Sequence, residues 1–218
     1  MGDNHTEEAS GTLVVGTFLT LDGVMQAPGA PDEDHEGGFQ HGGWMAKYGD
    51  ERTDEIVDSQ FAEADALLLG RKTYEIFASY WPKVHAENNF LATTLNNMPK
   101  YVASRTLDAA EWHNSTLLSG DSVTAIEELK RERRDTILVQ GSANLIQTLL
   151  AYDLIDEFRL WIFPLVLGEG KRLFGDGTIP ANLELTSAET SSTGVQILKY
   201  DRAGNIKYGV IGSDDETA

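Results

Sequence analysis

Apolar and polar positions alternate along the chain with two periods. Thr12–Thr20, dense in Val, Thr and Phe, predicts a strand. Residues 21–49 show no period and hold much of the Gly and Pro. Loops of that length inside compact domains are functional or disordered. Asp50–Glu63 brings Ile56, Val57, Phe61 and Ala64 to one stripe, which predicts an amphipathic helix. Ala66–Leu69 is a continuous apolar run ending at Gly70, the pattern of a strand buried on both faces. Arg71–Tyr80 predicts a helix closed by Trp81-Pro82, and Asn89–Asn97 further helical turns. Tyr101–Ala103, Trp112–Leu118, Thr136–Gln140 and Glu157–Phe163 predict strands, with helices over Ser122–Arg134 and Ala143–Tyr152. Leu183–Glu189, Gln196–Asp201 and Lys207–Ile211 predict short antiparallel strands with turns at Gly194 and at 203–205.

Alternating strands and helices predict an α/β fold in one domain over residues 12–211. Its central sheet is mostly parallel with an antiparallel C-terminal edge, and helices cover both faces. Residues 1–11 and 212–218 are expected to be flexible acidic tails. No internal repeat is present.

Charge narrows the partners. The 218 residues carry 17 Lys+Arg against 35 Asp+Glu, a net charge of −18, and this surface repels nucleic acid and anionic membranes. The acids concentrate at the two ends and in Asp32–Glu36, but the body is acidic too, as suits either solubility or a salty cytoplasm. The chain has no cysteine, which removes thiol nucleophiles, disulfides and cysteine-ligated metals. Residues 1–10 lack the basic and apolar segments of a signal peptide, and the apolar run Leu160–Leu167 is too short to span a bilayer. A cytoplasmic protein acting on a small molecule is expected.

Three strand-to-helix junctions carry candidate chemistry: Gly70-Arg71-Lys72-Thr73, Ala103-Ser104-Arg105-Thr106 and Gly141-Ser142-Ala143-Asn144. Ligands of open α/β sheets bind at the carboxyl ends of strands. Glycine there lets the backbone approach a ligand, and the helix N-terminus that follows attracts anions. With Arg71 and Arg105 the junctions predict a cradle for a phosphorylated cofactor. Neither GxGxxG after the first strand nor GxxxxGK[ST] is present, which argues against a standard Rossmann dehydrogenase and a phosphate-loop NTPase. His35 and His41 lack a third ligand, and no metal site is expected.

These motifs, with Thr20-Leu21-Asp22-Gly23-Val24-Met25-Gln26-Ala27-Pro28-Gly29, Gly42-Gly43-Trp44, Leu138-Val139-Gln140-Gly141-Ser142 and Pro164-Leu165-Val166-Leu167-Gly168-Glu169-Gly170, stand in a specific order. The chain resembles the dihydrofolate reductase-like superfamily over about 12–211. It is closest to the group related to the C-terminal reductase domain of the bifunctional riboflavin-biosynthesis deaminase/reductase. The resemblance implies a three-layer fold, an NADPH/NADP site and a homodimer. It places Gly70, Arg71, Lys72 and Thr73 on cofactor phosphates, with Arg71, Ser104 and Arg105 at the 2′-phosphate. Gly141, Ser142, Ala143 and Asn144 are placed at the pyrophosphate. The family more often has a second glycine where Ser142 stands, so a serine hydroxyl is expected to donate there instead. Thr17, Phe18, Val24 and Met25 are expected to flank the nicotinamide.

Asp54 lies sixteen residues before Gly70, the spacing of the proton-relaying carboxylate in dihydrofolate reductases, and is the candidate catalytic acid. Asp54 also sits in a row of acids, which suits a solvated helix face. Asp22 and Trp44 are candidate substrate contacts; a turn and a loop anchor are their alternatives. Tyr74, Phe77 and Trp81 have the spacing of core residues. The segment 54–65 carries no arginine, where the riboflavin-pathway reductase has arginines for its phosphoribosyl substrate. The expected activity is therefore hydride transfer from NADPH to a C=N or C=O of a small heterocyclic or sugar-derived substrate, neutral or cationic. Binding of NADP(H) without catalysis is the alternative.

Overall fold

The computed structural model describes residues 10–85 and 89–211. Eight strands form one sheet: β1 (Thr12–Thr20), β2 (Ala66–Gly70), β3 (Lys100–Ala103), β4 (Ser115–Leu118), β5 (Thr136–Gln140), β6 (Glu157–Phe163), β7 (Leu183–Thr190) and β8 (Gln196–Arg202). Their order is β4-β3-β2-β5-β1-β6-β8-β7. The first six are mutually parallel, and β8 and β7 run antiparallel beyond β6. Five helices connect them: α1 (Glu51–Ala62), α2 (Arg71–Tyr80), α3 (Phe90–Asn97), α4 (Ser122–Arg133) and α5 (Ala143–Ala151).

Alternation within β1 and β5 sorts the two faces. Leu13, Val15, Ile137 and Val139 pack with Ile126 and Leu129 of α4 and Leu145, Ile146 and Leu149 of α5. Val14 and Leu138 point the other way, onto a core with Phe61 of α1, Tyr74 of α2 and Leu95 of α3. A sheet buried on both faces needs apolar residues at every position, which β2 supplies: Ala66, Leu67, Leu68 and Leu69 are all fully buried. The expected three-layer architecture is present.

Helix ends follow local chemistry. Asp50 caps α1 by accepting from the Thr53 amide while Thr53 Oγ1 accepts from the Asp50 amide, a reciprocal capping box. Asn89 caps α3 by accepting from the Ala92 amide, and Asp121 caps α4 by accepting from the Thr124 amide and hydroxyl. No side chain caps α2 or α5.

Two expectations change. Lys207–Ile211 forms no strand, and Tyr208 and Val210 are exposed. Gly11 belongs to the fold rather than to a tail, because its amide donates to the Lys130 carbonyl (2.6 Å). The tails at 1–9 and 212–218 lie outside the described residues. Leu160, Trp161 and Phe163 are buried in the core, while Val166 of the same apolar run is exposed. No helix among the described residues is long and apolar enough to cross a membrane.

Candidate active site

A cleft of about 1550 Å³ opens at the carboxyl ends of β1, β2, β3 and β5. This is where the strand order reverses, with β5 inserted between β1 and β2, and such switch points leave a crevice between neighbouring loops. Thr17, Phe18, Met25, Asp54, Gly70, Arg71, Lys72, Thr73, Ser104, Arg105, Gly141, Ser142, Ala143 and Asn144 all line it.

The β2–α2 and β5–α5 junctions form its floor. Both helices begin at the cleft without a side-chain cap, so their first-turn amides are free to meet an anion. Neither first turn carries an acid, and α2 begins with Arg71 and Lys72. Gly141 (φ 59°) and Ser142 (φ 72°, ψ 59°) are both left-handed, and this pair turns the chain sharply from β5 into α5. A serine in that region is strained by about 1–2 kcal/mol. Its hydroxyl explains why it is held there: Ser142 Oγ accepts from the Gly70 amide (2.9 Å) and donates to Thr73 Oγ1 (2.8 Å). The two junctions are thus fastened to each other by one side chain. The hydroxyl expected to donate to a ligand is already committed to this bridge.

Arg71 pairs with Glu75 one turn along (3.1 Å) and is half exposed. The third junction leads from β3 into a loop to β4 and not, as expected, into a helix; Ser104 Oγ shapes it by accepting from the Thr106 and Leu107 amides. Arg105 is exposed beside it. On the opposite wall α1 presents Asp54, Val57, Asp58 and Phe61, one helical face of two acids and two apolar groups. Asp54 is exposed rather than buried. Phe77, Tyr80 and Trp81 continue the wall. Phe77 and Trp81 therefore reach the cleft as well as the core, whereas Tyr74 is buried, accepting from the Trp112 amide (2.9 Å).

Three expected contacts lie elsewhere. Asp22 faces away from the cleft: it accepts from Thr20 Oγ1 (2.5 Å) and from the amides of Leu167 (3.2 Å) and Gly168 (2.8 Å), and it pairs with Arg172. Burial opposes its charge, but these hydrogen bonds outweigh burial and hold its pKa at about 2. Val24 is fully buried with Ala27 and Phe39, because the loop after β1 folds back to bridge Arg172. Trp44 donates Nε1 to the Gln26 carbonyl (2.8 Å) and stands edge-on to Phe163, anchoring the loop.

That long loop is packed. Gln26 Nε2 donates to the Asp34 and Glu36 carbonyls, Gln26 Oε1 accepts from the Lys171 amide, and Phe39 is buried. Lys171, which sequence patterning does not select, lines the cleft beside Lys72. Its only local signal is its place directly after Gly168-Glu169-Gly170. Among the described residues no group of three or more His, Asp or Glu side chains is placed to hold a metal ion.

Comparison with known proteins agrees with this architecture. The RibD C-terminal domain family matches residues 11–197. The Bacillus subtilis protein YyaP, itself uncharacterised, is 36% identical over 141 residues, covering 63% of this chain and 74% of that protein. Among solved structures, a Shewanella sp. PV-4 protein ascribed to riboflavin biosynthesis superposes with a TM-score of 0.65 at 22% identity, over 88% of this chain and 99% of that one. A dihydrofolate reductase from Enterococcus faecalis, solved with NADP(H), gives 0.54 at 14% identity, over 88% and 97%. The fold is that of the dihydrofolate reductase-like proteins, and the chain belongs to the RibD C-terminal domain family.

Proposed function

We propose that the protein is a reductase of the riboflavin-pathway type that uses NADPH to reduce a C=N or C=O bond of a small heterocyclic or sugar-derived substrate. The observation that carries the reading is the pair of uncapped helix N-termini, α2 and α5, opening side by side on one cleft with Arg71, Lys72 and Arg105 around them. Free amides and guanidinium groups suit the phosphates of a dinucleotide, and an arginine pair suits a 2′-phosphate. Bound there, a reduced nicotinamide supplies the hydride. The amides of Lys72, Thr73, Ala143 and Asn144 hold the phosphates, while Arg71 and Arg105 select NADP(H) over NAD(H). Thr17, Phe18 and Met25 form the surface beside the reacting ring, and Phe18 is fixed edge-on to Trp161 and Phe163.

The far wall sets the substrate. Basic side chains lining the cleft are Arg71, Lys72, Arg105 and Lys171, and none belongs to α1, whose cleft face carries Asp54 and Asp58. A phosphate at that wall meets two carboxylates and no cation. The substrate is therefore neutral or cationic at this end, with a planar apolar part against Val57, Phe61, Phe77 and Trp81. Of the two acids on this wall, Asp54, sixteen residues before Gly70, is the one assigned to pass a proton to the reduced substrate.

A panel of pterin, pyrimidine and flavin-precursor substrates, followed by NADPH oxidation, tests the reading. Turnover of a cationic or neutral substrate, lowered at least about tenfold by Asp54→Asn, supports it. The exposure of Asp54 favours a second reading, NADP(H) binding without catalysis. That reading expects no turnover across the panel and a low rate unaffected by Asp54→Asn. Homodimerisation is part of the proposal. The outer strand β7 is exposed along its length and includes Leu185, and light scattering on the purified protein decides the mass.

A further inference from the structure

Both lysines lining the cleft are already engaged by the chain itself, by the same two carboxylates. Lys72 Nζ lies 2.8 Å from Asp34 Oδ1 and 2.6 Å from Glu36 Oε2. Lys171 Nζ lies 2.7 Å from Asp34 Oδ2 and 2.6 Å from the same Glu36 oxygen. The four groups close a ring between the first turn of α2, the loop after β6 and the long loop after β1. All four line the cleft.

The ring is electrically balanced, two ammonium groups against two carboxylates. Each ammonium has three donors, and two are spent on Asp34 and Glu36. A phosphate approaching the open end of α2 meets Lys72 with one donor left and two carboxylates within contact distance of it. Both carboxylates are ionised at neutral pH. Burial opposes the charge of Asp34, but the lysines outweigh it, and both acids are held at about 2. The arrangement places carboxylate oxygens where a phosphorylated ligand needs its own oxygens.

We infer that Lys72 and Lys171 form a two-lysine anion site, and that Asp34 and Glu36 fill it as an internal stand-in which a phosphorylated ligand must displace. The inference rests on the cofactor reading only for the identity of that ligand. Binding releases the segment 32–38 from the α2 side. Gln26, which holds the Asp34 and Glu36 carbonyls, and the buried Phe39 keep the loop folded when the carboxylates let go. The occupied ring lowers affinity and makes binding and loop release one event.

The test uses the full chain and its Asp34→Asn/Glu36→Gln double variant, which keeps shape and hydrogen-bonding capacity while removing both charges. Inorganic pyrophosphate, NADPH and NADP are titrated by calorimetry, and hydrogen exchange of 32–38 is followed with and without ligand. The double variant is expected to bind pyrophosphate and NADPH at least about fivefold more tightly. Adding Lys171→Met to it is expected to remove most of that gain. In the unaltered protein, ligand is expected to speed exchange across 32–38. Equal or weaker binding by the double variant, or slower exchange of 32–38 on binding, overturns the inference. Tighter binding of pyrophosphate without binding of either dinucleotide supports the two-lysine site and refutes the cofactor reading. Binding of none of the three probes by either protein refutes both.

Discussion

Ser142 offers a decisive perturbation because two effects of known sign meet in one side chain. It occupies a left-handed backbone conformation, and its hydroxyl joins the Gly70 amide to Thr73 Oγ1. Ser142→Ala keeps the strained backbone and deletes both bonds, leaving the Gly70 amide without its partner. One lost net hydrogen bond plus an orphaned donor amounts to about 1.5–2.5 kcal/mol. Ser142→Gly deletes the same bonds but relieves about 1 kcal/mol of left-handed strain. Glycine at this position is therefore expected to be more stable than alanine by about 1 kcal/mol, and less stable than serine. For a domain of this size, 1 kcal/mol corresponds to about 2–4 °C in Tm. The alanine variant should melt about 4–8 °C below the parent protein, with the glycine variant between. Thermal unfolding and urea titration both read this order. In a Ser142→Ala background, Thr73→Val should add little, because its bond is already gone. Alanine equal to serine in stability, or glycine below alanine, would refute the bridge.

Other consequences are equally direct. Lys100 is buried, donates Nζ to the Leu95 and Met98 carbonyls (2.8 and 2.7 Å) and stands over the Trp112 ring, so it closes the C-terminus of α3. Lys100→Met should destabilise by about 2–3 kcal/mol in urea unfolding while leaving ligand affinity unchanged. Gly170 has φ 113°, and a Cβ there meets Phe39 and Val24 atoms at 2.8 Å. Gly170→Ala should lower Tm markedly and expose the 26–43 loop to proteolysis. Asp22, held at about 2 against an ordinary 3.8, has a lowered folded-state pKa. The unfolded chain takes up its proton first, so the stability Asp22 contributes is lost as pH falls from about 4 through 2. Asp22→Asn should flatten that limb of the stability–pH curve measured by urea unfolding.

Elements whose stability is local were the legible ones. β1, β2, β5 and β6 are short segments rich in apolar and β-branched residues, and α2 is closed by Trp81-Pro82, so pattern and structure agree to within a residue. Lys207–Ile211 has the alternation of a strand, but a strand is defined by a ladder with a neighbouring strand, and alternation does not say where that neighbour lies. Within the cleft, the three glycine or arginine junctions follow from chain order alone, because strand ends in a parallel sheet gather on one side. What was not legible depends on tertiary contact. Trp44 and Val24 turn inward because the loop after β1 folds back onto Arg172. Ser142 spends its hydroxyl on residues some seventy positions earlier, Gly70 and Thr73. Lys171 meets Asp34 and Glu36 across more than 130 residues, and no spacing rule reaches that far.

Net charge takes on a local meaning in this setting. The surface is acidic overall, yet cations gather at the mouths of α2 and β3 and acids on the wall of α1. An anion enters on one side of the cleft and a neutral or positive group is tolerated on the other.

Titration of the protein with NADPH and with NADH, read by tryptophan fluorescence, tests the central claim most directly, since Trp81 lines the cleft. The account predicts saturable quenching by NADPH, tighter than by NADH, with the preference lost in Arg71→Ala/Arg105→Ala. No saturable signal with either dinucleotide, or equal affinities untouched by the arginine substitutions, would contradict it.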